Sequence, residues 1–105
     1  MGIGVWMKTH RVRFGRVALE DLNSSYAWGV ENWGLDEADK WFAAIQEHVE
    51  SKLSEMPYAF PVAKESNAFD YEVRQILFGR YRLLYTITSD EVRILRVRGP
   101  YSRKS

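Results

Sequence analysis

Two apolar stripes of helical period, separated by a single glycine, constrain this chain most. The first recurs at Leu19, Leu22, Tyr26, Val30 and Trp33, three or four residues apart, as one face of a helix does. Gly34 follows, where a helix C-terminus favours a left-handed residue. The second stripe runs through Ala38, Trp41, Phe42, Ile45, Val49, Leu53 and Met56, and Pro57 stops it. Leu35 precedes Asp36, which reads as an N-cap, and Glu37 and Asp39 suit the positive end of that helix. So short a turn between two such helices predicts an antiparallel hairpin.

A hairpin of amphipathic helices needs a surface to bury its stripes against. The rest of the chain offers strands. His10 to Phe14 alternates polar and apolar residues, and Gly15 ends it. Tyr58 to Asp70 has no sustained period and reads as a loop. Three strands are predicted after it, at Tyr71–Leu77, Tyr81–Thr88 and Val92–Arg98, joined by Phe78-Gly79-Arg80 and by Ser89-Asp90-Glu91. The expected fold is α+β: an N-terminal strand, the hairpin, then a three-stranded antiparallel meander packed on the hairpin. The organisation expected is one domain over 9–105 behind a ragged N-terminus at 1–8. That N-terminus is apolar but too short for a signal peptide or a membrane span.

The chain of 105 residues has no cysteine, which removes disulfides, thiolate metal sites and cysteine nucleophiles and fits a cytoplasmic location. His10 and His48 lack neighbours at ligand spacing, so no metal and no cofactor is expected. No phosphate loop and no serine–histidine–acid arrangement is present. The net charge of +1 hides a polarity. Residues 20–55 hold nine acids and two bases, net −7, whereas residues 71–105 hold eight bases and three acids, net +5. A basic end of this kind suits an acidic or polyanionic partner.

Arg74, Arg82, Arg96 and Arg98 lie within predicted strands, where long charged side chains imply a wet or bound face. Arginine presents a planar fork of donors that fits phosphate or carboxylate. Tyr71, Tyr81, Tyr85 and Tyr101 interleave with them, so the sheet suits single-stranded nucleic acid or an acidic peptide. Alternation puts Tyr81, Leu83, Tyr85 and Ile87 on one face of their strand, the core face, opposite Arg82. Tyr101 lies past the last strand, in a basic tail.

The element order carries a resemblance, together with four stretches. These are Ala18-Leu19-Glu20-Asp21-Leu22, Leu53-Ser54-Glu55-Met56-Pro57, Tyr81-Arg82-Leu83-Leu84-Tyr85 and Val92-Arg93-Ile94-Leu95-Arg96-Val97-Arg98. From about Thr9 to Arg103 the chain resembles RelE/ParE-superfamily toxins of bacterial type II toxin–antitoxin systems. The resemblance implies a plasmid-stabilisation-like toxin that inhibits growth until a cognate antitoxin covers it, as a toxin–antitoxin hetero-oligomer. Relatives of ParE poison DNA gyrase; relatives of RelE cut messenger RNA on the ribosome. For a nuclease, the resemblance implies that Arg74 and Arg82 bind phosphate and stabilise developing charge, with Tyr101 in proton transfer. Arg96, Arg98 and Arg103 are then target- or RNA-binding residues. Many nuclease members carry a histidine after the last strand, where this chain has Gly99-Pro100, and the lysine-rich stretch of some is reduced to Lys64. Both departures count against an acid–base nuclease, and the long helix hairpin and sparse acid–base groups favour the gyrase-directed type, leaving an mRNA interferase, and a harmless module docking an acidic peptide, as alternatives.

Overall fold

The structure is a computed structural model that describes residues 9–101. The expected ragged start at 1–8 and the candidate Arg103 lie outside them. The elements run β1 (Arg11–Phe14), α1 (Arg16–Trp33), α2 (Leu35–Glu55), β2 (Arg74–Phe78), β3 (Tyr81–Ile87) and β4 (Glu91–Arg98), with 3-10 turns at Pro57–Ala59 and Lys64–Ala68. The strands form one sheet in the order β1-β4-β3-β2. β2, β3 and β4 are the antiparallel meander, and β1 joins β4 in parallel. The hairpin lies on one face, and the expected α+β architecture stands.

The core is where hairpin and sheet meet. Leu22, Ile45, Val49 and Leu53 bury themselves against Ile76, Leu83, Tyr85, Val92 and Ile94. Tyr81, Leu83 and Tyr85 take the core face as alternation predicts, with Ile87 packed beside them. The buried line of α1 differs from the expected stripe. It runs through Ala18, Leu22, Ser25 and Gly29, while Leu19 and Trp33 are exposed. Close approach to α2 and β4 selects small side chains. A Cβ on Gly29 would stand 3.0 Å from the Trp33 ring and 3.4 Å from the Ala38 methyl.

Asp36 is not the N-cap of α2. Gly34 takes that place, at φ +97, and ends α1 as well: its N–H donates to the Val30 carbonyl, and its own carbonyl accepts from Ala38 N–H. Only glycine enters this backbone region without strain. Asp36 and Glu37 sit in the first turn, where the helix dipole favours them.

The outer sheet face is not left open. The segment 58–73 folds back over it, so Ala63 and Val73 bury Leu84, with Phe69 and Leu95 packed around them. The Ser66 hydroxyl accepts the Val73 N–H, and Ala63 N–H donates to the Val73 carbonyl, which delays β2 to Arg74 rather than Tyr71. An irregularity between Leu84 and Tyr85 shifts the register from Leu84↔Arg96 to Tyr85↔Ile94. The extra residue, Leu95, belongs to the outer cluster.

Candidate functional site

Of the strand arginines Arg74, Arg82, Arg96 and Arg98, three are held by partners within the fold. Arg82 leaves the outer face of β3 and forks onto Glu65, with contacts of 2.5 and 3.1 Å, while it donates to Gln75 Oε1 at 2.8 Å. This bond to the guanidinium holds the Glu65 carboxyl down at about 2, and the Arg82 pKa rises in return. Arg74 stands at the start of β2 and donates to the carbonyls of Phe60 (2.6 Å) and Tyr58 (3.3 Å), to Glu72 (3.0 Å), and sits over the Tyr58 ring. It closes the turn after α2 rather than facing solvent.

Arg96 forks onto Asp21 of α1 at 2.8 and 3.1 Å. Asp21 also accepts the Val97 N–H at 2.9 Å. The reason lies in the register: β1 covers β4 only through Ile94, so the edge beyond needs another acceptor. The carboxylate supplies it and raises the Arg96 pKa by hydrogen bonding.

Arg98 is exposed and, among the described residues, makes no side-chain hydrogen bond or ion pair. It is the cross-strand neighbour of Arg82 and lines a polar recess of about 210 Å³ with Asp21, Ser24 and Arg96. Tyr101 is a clasp. Its ring stacks on Trp28 at 4.6 Å, its hydroxyl accepts from Arg80 at 2.8 Å, and its carbonyl accepts from Ser25 and Tyr81 hydroxyls, both at 2.7 Å. The recess and the clasp therefore share α1 and the end of β4, whereas Arg74 serves another part of the fold.

Groups able to move protons at neutral pH are sparse here. Tyr85 donates to the Pro57 carbonyl at 2.6 Å, and burial pushes its hydroxyl up to about 12. Burial raises Tyr81 as well. His10 packs edge-on to Tyr58, and His48 packs against Phe78; both are half-buried. Among the described residues no cluster of histidine and carboxylate groups could hold a metal ion. The partners Asp21, Glu65 and Trp28 were not singled out by sequence reasoning as functional. Asp21 lies in a stretch that carries the family resemblance, but Glu65 sits in a loop with no pattern to betray it.

Comparison with known proteins fits this frame. Residues 12–99 match the family described as "ParE toxin of type II toxin-antitoxin system, parDE". The chain belongs to the ParE toxin family. The fold is similar to a chromosomal ParDE toxin–antitoxin system from P. aeruginosa, with a TM-score of 0.71 and 19% identity, covering 91% of this chain and 98% of that one. It is also similar to the RelBE2 toxin–antitoxin complex of Mycobacterium tuberculosis, with a TM-score of 0.62 and 26% identity, covering 89% and 93%. No curated protein matches in sequence. No helix among the described residues of this ParE-family chain is long and apolar enough to cross a membrane.

Proposed function

We propose that this ParE-family toxin acts in the cytoplasm, inhibits growth by binding DNA gyrase rather than by cutting RNA, and is neutralised by a cognate antitoxin. One observation carries the choice between targets. Arg74, Arg82 and Arg96 already bond to carbonyls and carboxylates of the fold, and the tyrosines of the sheet are held protonated. That arrangement suits a rigid binding surface better than acid–base chemistry, which needs a group near neutral pKa beside the scissile phosphate. Of Arg74, Arg82, Arg96 and Arg98, the last is the one left for a target, with Arg103 after it in sequence.

An antitoxin also has a place to dock. An apolar groove of about 530 Å³ opens between the end of α2 and β2, lined by Met56, Phe60, Pro61, Ile76 and Leu77 among others. Met56, at the end of α2, and Leu77, on the edge strand β2, are half-exposed there. An amphipathic segment of an antitoxin that covers this groove and edge buries apolar surface and completes the strand. The toxin and antitoxin then form a hetero-oligomer.

Induced expression tests the reading. Growth should stop while translated messages stay intact on primer extension. New cuts within codons would replace gyrase by the ribosome and give Arg74, Arg82 and Tyr101 the catalytic roles. Unimpaired growth would leave a harmless binding module.

A further inference from the structure

The tip of the helix hairpin carries an aromatic groove that neither the arginines nor the antitoxin groove uses. It encloses about 610 Å³ between Trp33, Glu37, Lys40, Trp41 and Ala44. Trp33 is 41% exposed and its neighbour Leu35 is 58% exposed, although both are large and apolar. Uncovered side chains of this size, gathered at one spot, mark a contact surface.

The indoles are fixed before any partner arrives. The Trp33 ring lies on the space left by Gly29. Its edge meets Trp28 at 5.3 Å and 86°, and Trp28 is in turn stacked on Tyr101. Trp41 packs on Tyr81 at 5.1 Å. Rigid aromatic anchors lose little freedom on binding, so contact area converts to affinity with a small entropic loss.

Charge selects the occupant. Asp36 and Glu37 are exposed in the first turn of α2, and Glu37 stands on the rim with an exposed 3.5 Å contact to Lys40. An incoming guanidinium can displace that lysine and lie over an indole face. We propose that the hairpin tip is a second protein-docking site, which takes a partner segment with an apolar side chain between Trp33 and Trp41 and an arginine on Glu37. Its partner is basic, opposite in charge to one that would pair with the sheet arginines. It stands apart from the gyrase and antitoxin readings, because its test needs neither.

The test is NMR of the indole N–H signals of the full chain during titration with acetyl-Arg-Leu-Arg-amide. Trp33 and Trp41 should shift together and Trp28 less, and acetyl-Glu-Leu-Glu-amide should leave them in place. Glu37→Lys, on an exposed position, should weaken the arginine peptide at least fivefold without altering the rest of the spectrum. Three outcomes overturn the proposal: equal shifts with the glutamate peptide, undiminished binding by Glu37→Lys, or indole shifts that follow protein concentration alone. The last would mean that a second copy of the chain occupies the groove.

Discussion

Arg82 shows how a side chain suited to phosphate becomes part of a scaffold. It ties Glu65, from the segment over the outer face, to Gln75 of the neighbouring strand. A fork-on-fork pair of this geometry fixes direction as well as distance. The linkage to pH has a definite sign. The Glu65 carboxyl is held at about 2, below its ordinary 4.5, so the folded state gains from its charge above that ordinary value. The gain fades as pH falls from about 4.5 towards 2. Glu65→Gln should therefore lower the melting temperature at neutral pH and flatten its decline in acid, as thermal denaturation at a series of pH values would record. An acid limb as steep as the parent's would mean that Glu65 does not contribute. The presence of Arg74, Arg82, Arg96 and Arg98 in strands was legible from spacing. Their occupancy was not, because Asp21, Glu65 and the Phe60 carbonyl reach them from far along the chain.

At the scale of elements, Gly34 joins two helices with one residue. Its φ of +97 with ψ of 163 lies in a region almost reserved for glycine. Gly34→Ala meets no steric neighbour within 4 Å, so backbone strain alone should lower stability, by about 1–3 kcal/mol. Urea titration measures it, and an unchanged midpoint would show that the turn relaxes freely. Ile45→Ala, fully buried between hairpin and sheet, should cost about 2–5 kcal/mol in the same assay. Both helices, β1 and the meander follow from periodicity, since period survives any packing. Which residues of α1 go inside does not. The choice of Ala18, Ser25 and Gly29 over Leu19 and Trp33 reflects how closely α1 approaches its neighbours, a tertiary fact. The fold-back of 58–73 was illegible for a similar reason: its signal is a few apolar residues, Ala63 and Phe69, without a repeat.

At the scale of the molecule, the two charged ends serve different tasks. The sheet end holds its arginines in place with carboxylates of its own, which leaves Arg98 as the exposed cation of β4 that lacks a side-chain partner among the described residues. Arg98→Ala should then abolish growth inhibition while the melting temperature stays within about 1 °C of the parent, as expected for an exposed residue. A large thermal loss would move Arg98 from the target surface into the scaffold. The hairpin end is acidic, presents indoles, and offers itself to a partner of opposite sign.

Binding of DNA gyrase by this ParE-family chain is open to a supercoiling assay with the purified protein. Supercoiling of relaxed plasmid should stop in a dose-dependent way, and the Arg98→Ala protein should not stop it. Full supercoiling at high concentrations of folded parent protein would mean that gyrase is not its target.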